Sequence, residues 1–111
     1  MAQHGEWNRK GATLSDVSAK TEYGVEESFI VKGIETRRLE YRDGAIWGNP
    51  YLRLLRSQLE AYIIEELGEE FLSRAKNQTE LRRVKKEMAD LSKRLRVLQE
   101  RRNEIEASLS K

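Results

Sequence analysis

Residues 81–109 read LRRVKKEMADLSKRLRVLQERRNEIEASL, and this stretch decides how the chain is organised. Its apolar residues recur at alternating spacings of three and four, the heptad pattern of a helix with one narrow apolar seam. Eight of the nine seam positions are apolar, and Arg102 occupies the other. Such a seam needs a partner helix to cover it. The predicted dimerisation residues are Leu81, Val84, Met88, Leu91, Leu95, Leu98 and Ile105, and Leu109 ends the pattern.

The charges beside the seam leave the orientation of the partner open. With Leu81 at heptad position a, a parallel dimer would pair Glu80 with Lys85 and Arg101 with Glu106 across the interface. An antiparallel dimer fits the apolar pattern as well, and so does docking onto another protein's helix. The seam could also belong to one long helix packed back on the rest of the chain. We predict a basic coiled-coil dimerisation stalk over residues 73–111, within a helix that begins near residue 69.

The rest of the chain has the Gly, Pro and aromatic punctuation of a small globular module. Residues 1–12 are polar and aperiodic, and we interpret them as a flexible arm. Residues 13–72 form the predicted head, and the expected fold class is mainly α with a small β-hairpin. A core of that size is marginal by itself.

Composition excludes several functional classes. The chain has 111 residues, 36% of them charged, and no cysteine, so disulfides and cysteine-ligated zinc are ruled out. No apolar run approaches the 18 residues of a membrane span, and the absence of cysteine is typical of a cytoplasmic protein, or a nuclear one in a eukaryote. The one histidine, His4, has no catalytic neighbours. We predict no enzyme, no metal site and no cofactor.

The head begins with the outline of a helix-turn-helix. Ser15 is a candidate N-cap for a helix over 16–23, and Gly24 is a candidate C′ residue that ends it. A second short helix is predicted over 25–32, with Gly33 at its end. The residues expected to face inward are Val17, Ala19 and Tyr23 in the first helix, and Phe29 and Ile30 in the second.

A β-hairpin is predicted at about 38–55, with a long tip over 43–50. Asp43-Gly44 is a strong turn signal, and Pro50 should lie at a strand start or edge because it lacks an amide donor. Ser57 and Glu60 then have the spacing of a capping box at the start of a third helix, which Gly68 interrupts.

Charge is distributed unevenly behind the hairpin. Residues 57–73 hold five Glu and no Lys or Arg, whereas residues 74–102 hold eleven Lys or Arg against four Asp or Glu. A basic helix of this kind favours contact with nucleic acid, although the outer faces of coiled coils are also highly charged. Both interpretations stay open at the level of sequence.

The head resembles the DNA-binding core of the xeroderma pigmentosum group A repair protein family. The resemblance spans about residues 13–75 and rests on the runs TLS at 13–15, AKTEYGV at 19–25, LEYR at 39–42, WGN at 47–49 and YLRL at 51–54. That family carries an adjoining four-cysteine zinc module, which this chain lacks. The same outline is similar to the MerR and excisionase type of winged helix, in which a helix pair precedes a hairpin wing. MerR regulators also place a dimerising coiled coil after the winged module.

The resemblance implies binding to DNA through the hairpin and the following basic helix. By motif, Trp47 is the candidate that stacks on a base, and its polar, Gly-flanked surroundings offer little else to bury it. The alternative is that Trp47 folds back onto Tyr41 or Tyr51. The candidate phosphate ligands are Arg37, Arg38, Arg42, Arg53 and Arg56 around the hairpin and Arg82, Arg83 and Lys86 on the stalk. The alternative for the hairpin arginines is a solvated face paired with Glu35, Glu40 and Asp43.

Two functional hypotheses follow. Glu26 and Glu27 would repel phosphates from the second helix, so DNA binding would use the wing and the basic helix with weak sequence preference. The first hypothesis is therefore a non-catalytic, homodimeric DNA-binding protein. The second is an interaction adaptor whose head binds a protein partner and which has no affinity for nucleic acid.

Overall fold

The computed structural model describes residues 4–111, without the side chain of His4. The chain divides into two compact units, which we call the N-terminal unit, ending at Thr79, and the C-terminal unit, Glu80–Lys111. A short 3-10 helix, His4–Asn8, comes first. The other elements in chain order are β1 Thr13–Ser15, α1 Asp16–Tyr23, α2 Glu27–Glu35, β2 Tyr41–Ile46, β3 Asn49–Leu55, α3 Arg56–Leu67 and α4 Glu69–Leu109. The predicted fold class, mainly α with a small β element, is confirmed at this level.

Helix α1 has the predicted ends. The Ser15 side chain accepts a hydrogen bond from the amide of Ser18 at 3.0 Å, and Gly24 adopts the left-handed conformation with φ of 65°. Ala19 and Tyr23 are buried as predicted, but the expectation for Val17 is wrong, because its side chain is 60% exposed. Val17 lies two residues before Ala19, which is about 200° around the helix and thus on the opposite face.

Helix α2 continues past its predicted end at Gly33. The helix runs to Glu35, and Gly33 is buried inside it. A Cβ at this position would lie 2.6 Å from Cδ1 of Leu39 and 2.7 Å from Cε2 of Tyr62. Gly33 therefore serves close packing rather than helix termination.

The hairpin is tighter than predicted. Strands β2 and β3 are antiparallel, with Ile46 opposite Asn49, so only Trp47 and Gly48 form the turn. Both have positive φ, 54° and 80°, as a type I′ turn requires. The predicted turn at Asp43-Gly44 is wrong. Gly44 is in β2, where a Cβ would lie 2.6 Å from Cζ of Tyr51 on the facing strand.

The sheet has a third strand that the sequence did not predict. β1 pairs antiparallel with the free side of β3, from Thr13 opposite Leu55 to Ser15 opposite Arg53. The strand order is therefore β1-β3-β2. Three residues are too few to show alternation in a sequence. Pro50 is the second residue of β3, before the stretch that β1 covers, which fits its lack of an amide donor.

Helix α3 begins without the predicted capping box. Its first residue is Arg56, and Leu55 at the N-cap makes no side-chain bond to the helix. Ser57 Oγ donates instead to Glu6 Oε1 at 2.6 Å, and Glu60 accepts from Tyr23 and Lys76. Both side chains join other elements to α3.

The N-terminal segment is not a free arm over its described part. Residues 1–3 lie outside the described residues. Trp7 is only 4% exposed, the Ala12 carbonyl accepts from the Arg56 amide at 2.8 Å, and Glu6 binds Ser57. A buried indole and two tethers hold residues 5–12 against the head.

Long helix α4 begins at Glu69, where the sequence predicted a long helix. Leu72 and Ala75 are its buried residues, and both belong to the N-terminal unit. Within residues 4–111 no helix is long and apolar enough to cross a membrane. The core of the N-terminal unit is made from the four α-helices, the sheet and the loops between them. Its members are Leu14, Ala19, Tyr23, Val25, Ile30, Leu39, Leu54, Leu59, Tyr62, Ile63 and Leu72.

Candidate nucleic-acid interface

The hairpin turn presents Trp47 to solvent. Its side chain is 97% exposed, so the alternative in which it folds onto Tyr41 or Tyr51 is wrong. The neighbouring Ile46 is also exposed. Together these residues make an apolar knob at the end of β2.

Trp47 is unusual in its backbone as well as in its exposure. Residues other than Gly, Asn and Asp rarely adopt positive φ, at a cost of about 1–2 kcal/mol. Position 47 is the first turn residue, where a type I′ turn favours Asn, Asp or Gly. An exposed indole therefore occupies a position for which both solvation and backbone geometry prefer a different residue. Such a conflict is typical of a functional site.

Two of the predicted DNA-binding arginines cover Trp7 instead. Arg42 lies over the Trp7 ring at 4.5 Å from its centroid, and Arg53 lies at 5.9 Å. Arg53 also donates to the Trp7 carbonyl oxygen at 3.0 Å. These guanidinium groups thus hold the N-terminal segment on the sheet by cation–π contact. The only signal in the sequence for this contact was Trp7 itself, a large apolar residue in an otherwise polar stretch.

Arg56 is committed to a polar cluster between α1 and α3. Its guanidinium donates to Glu22 Oε2 at 2.7 Å and to the Tyr23 hydroxyl at 2.8 Å. That hydroxyl donates in turn to Glu60 Oε2 at 2.5 Å. Burial, together with the bond to Glu60, raises the pKa of Tyr23 well above its ordinary value. These hydrogen bonds give the Arg56 side chain a structural role in the N-terminal unit.

Arg38 is paired with the acidic side of α3. It forms an ion pair with Glu65 at 2.8 Å and donates a hydrogen bond to Glu66, and its guanidinium lies 5.4 Å from the centroid of the Tyr62 ring. Arg38 is therefore paired with carboxylates, but these are Glu65 and Glu66 rather than the predicted Glu35, Glu40 and Asp43.

Arg37 is an exposed arginine before the hairpin. It has a positive φ of 63°, which turns the chain from the end of α2 toward β2. It lines a groove of about 410 Å³ whose other walls are Ile34, Leu39, Glu40, Tyr41 and Gln58. A cation beside an exposed tyrosine is chemically suited to a phosphate next to a base.

The basic candidates of α4 belong to the C-terminal unit. Arg82, Arg83 and Lys86 are all exposed. Arg83 pairs within the helix with Glu80, an exposed i, i+3 contact that contributes little to stability and is easily exchanged. The exposed charges of Arg83 and Lys86 are accessible to phosphates.

The apolar seam of the C-terminal unit is uncovered. Each of the seven predicted dimerisation residues is between 40% and 62% exposed. They lie on one continuous helix, so the register deduced from the sequence carries over without interruption.

In the part of the chain that the structure describes, no group of three His, Cys, Asp or Glu side chains could hold a metal ion.

Comparisons with protein-family models, with curated proteins and with solved structures found no match for this chain.

Proposed function

We propose that this protein is a non-catalytic DNA-binding protein with a winged-helix-like head that dimerises through its C-terminal helix. The wing is the β2–β3 hairpin, and Trp47 stacks on an exposed base at its tip. Arg37 and the basic side chains of α4 contact phosphates. Weak sequence preference is expected, because the contacts are to base faces and backbone rather than to base edges.

The observation that carries the proposal is Trp47. Stacking a base on an exposed aromatic ring contributes about 1–3 kcal/mol and tolerates any base. The indole is presented by two hydrogen-bonded strands and a two-residue turn, so little backbone freedom is lost on contact. A fully solvated tryptophan on a hydrogen-bonded hairpin is suited to a flat apolar partner such as an unpaired base.

The basic side chains of α4 would supply the electrostatic contribution to DNA affinity. Residues 74–102 have a net charge of +7, while the whole chain has only +2, so the positive charge is concentrated in this central part of α4. Each phosphate contact releases condensed counterions, which makes affinity fall steeply with salt.

A second candidate function is a protein-binding adaptor. It is favoured by the internal engagement of Arg38, Arg53 and Arg56, which leaves the hairpin less cationic than its sequence suggests. Exposed tryptophans also anchor protein interfaces. On this hypothesis Trp47 and Ile46 insert into a pocket of the partner, and DNA affinity is absent.

The experiment that separates the two is fluorescence anisotropy of labelled single-stranded, duplex and forked DNA at about 50 and 200 mM salt. Wild-type protein is compared with Trp47→Ala and with the matched control Val17→Ala, which removes an exposed apolar side chain from α1. The proposal predicts salt-sensitive binding that Trp47→Ala weakens and Val17→Ala leaves unchanged. Absence of binding to all three DNAs at tens of micromolar protein would contradict it and favour the adaptor.

A further inference from the structure

The charges that flank the apolar seam of α4 are sorted by position along the helix. The g positions read Glu80, Glu87, Arg94 and Arg101, acidic in the first half and basic in the second. The e positions read Lys85, Ser92, Gln99 and Glu106, basic first and acidic last. Both rows therefore reverse sign between the two ends of the same helix.

This sorting has a different consequence for each orientation of a dimer. In a parallel pair, g residues meet e residues of the partner, which gives two favourable contacts, Glu80 with Lys85 and Arg101 with Glu106. In an antiparallel pair, g residues lie beside g residues and e residues beside e residues. The acidic half of each g row then lies beside the basic half of the other, and Lys85 lies near Glu106 of the partner. Each of the six charged e and g side chains then has an opposite charge within about one heptad on the partner helix, and the one like-charge approach is that of the two Arg94 side chains at the centre of the pair.

Arg102 separates the orientations further. In a parallel, in-register dimer, residues at position a face their own copies, so two guanidinium groups would meet inside the seam. In an antiparallel dimer, a residues face d residues. The register that aligns Leu81 with the partner's Ile105 places Arg102 opposite the partner's Val84. The residues four before and three after Val84 are Glu80 and Glu87, which flank it on the helix surface.

The charged side chains beside the seam can exchange their contacts within the helix for contacts with a partner helix. Helix α4 continues unbroken to Leu109, and the seam is uncovered. Glu80 and Arg101 are engaged only in exposed intrahelical pairs, with Arg83 and with Glu104. Such pairs contribute little, so replacing them with contacts across an interface costs little.

We infer that the seam of the C-terminal unit is covered by a second copy of this chain in the antiparallel orientation. The inference rests on the dimerisation part of the proposed function. The two stalks then enter the coil from opposite ends. Their residues 81 lie about 36 Å apart along the axis, the 1.5 Å rise taken over the overlap from 81 to 105.

Disulfide trapping reads the orientation directly, because the chain has no cysteine of its own. Met88→Cys and Leu98→Cys are prepared separately, one with a removable tag, and mixed in a glutathione redox buffer. Antiparallel pairing predicts that mixed disulfides exceed self disulfides by about tenfold, a preference that several charge pairs can supply. A predominance of self-linked Leu98→Cys would overturn the antiparallel orientation while leaving the dimer intact.

A set of charge variants tests the same inference without cysteines. Glu80→Lys with Glu87→Lys makes the whole g row basic, so the antiparallel dimer should dissociate in sedimentation velocity. Adding Arg94→Glu and Arg101→Glu restores opposite signs in the antiparallel pair and returns the net charge to its original value, so the dimer should reappear. A parallel dimer predicts the reverse order, because the fourfold variant places like charges at both 80–85 and 101–106. Helicity is checked by circular dichroism for every variant.

The outcomes also distinguish this inference from the proposed function. Wild-type protein that stays monomeric at high micromolar concentration would overturn dimerisation itself, and with it the inference. Loss of DNA binding in a wild-type protein that still forms mixed disulfides would overturn the DNA proposal and leave the antiparallel pairing standing.

Discussion

The N-terminal and C-terminal units satisfy their apolar side chains in opposite ways. In the N-terminal unit the leucines and tyrosines of four helices and a sheet bury one another within a single chain. In the C-terminal unit every seam residue is exposed, and its helix can be covered only from outside the unit. The stability of the first unit is therefore expected to be a property of one molecule, whereas in the proposed dimer the stability of the second unit depends on protein concentration.

The largest expected effect lies in the core of the N-terminal unit. Leu59 is fully buried, and Leu59→Ala should lower the free energy of unfolding by about 2–5 kcal/mol, because it removes packing and leaves a cavity. Urea titration followed by tryptophan emission should give the same loss at low and at high protein concentration. Val17→Ala, at an exposed site, should stay within about 0.5 kcal/mol of wild type. A loss of stability that depended on protein concentration would contradict the expectation that the N-terminal unit is stable within one chain.

The next effect is expected on the seam. Leu91→Glu introduces a carboxylate into the predicted interface and should raise the dissociation constant by about a hundredfold or more, which corresponds to about 3 kcal/mol. Analytical ultracentrifugation should show a monomer, and the urea midpoint of the N-terminal unit should not move. If Leu91→Glu instead destabilised the N-terminal unit, the helix would be packed against its own head.

A smaller effect is expected at Trp47, where stability and DNA affinity should change in opposite directions. Trp47→Asn places the residue that a type I′ turn prefers at a position with φ of 54°. The free energy of unfolding should rise by about 0.5–1 kcal/mol, since the strain of the indole's backbone is relieved. DNA affinity should fall by about 1–3 kcal/mol with the loss of stacking. Thermal melting and anisotropy test the two parts, and a variant that lost stability would show that the turn needs the indole for folding.

The smallest effect concerns the polar cluster around Tyr23. Because its pKa is raised above the ordinary value of 10.0, the folded state keeps the phenol proton that the unfolded state loses. This contribution to stability is complete below pH 10 and is lost progressively as the pH rises above it. Tyr23→Phe should lower stability by about 1 kcal/mol at neutral pH, through the lost hydrogen bonds.

Urea titrations at alkaline pH provide the check on Tyr23. Between pH 9 and 11 the Tyr23→Phe protein should lose less stability than the wild type does, as judged by urea midpoints. Equal losses in the two proteins would assign the alkaline sensitivity to other groups.

The sequence predicted elements that are set by local chemistry and missed those set by tertiary contacts. The Ser15 cap, the Gly24 stop and the long α4 helix each follow from neighbours within a few residues. Gly33 and Gly44 were misinterpreted as chain breakers, because the side chains that require them, Tyr62 and Tyr51, are distant or across a strand. Strand β1 exists only because β3 offers it a partner.

The candidate site was predicted unevenly for the same reason. Trp47 was identified because its local surroundings offer it no burial. The arginines could not be sorted from the sequence, since a guanidinium that binds phosphate and one that covers Trp7 look alike until the fold brings residue 7 to the hairpin. The phosphate role predicted for Arg37 stays a prediction, whereas Arg42, Arg53 and Arg56 have contacts within the N-terminal unit that their residue type did not indicate.

The most direct test of DNA binding through the hairpin is the emission of Trp47 itself. In a Trp7→Phe protein, Trp47 is the only tryptophan, and its unbound emission should be that of a fully solvated indole. Titration with forked DNA should quench this emission in step with the anisotropy rise of the labelled DNA, because stacking on a base brings the indole into contact with it. The matched Trp47→Phe protein, which retains only Trp7, should show no change. DNA binding through the hairpin would be contradicted by DNA that binds while the emission of Trp47 stays constant. It would also be contradicted by DNA that does not bind at all.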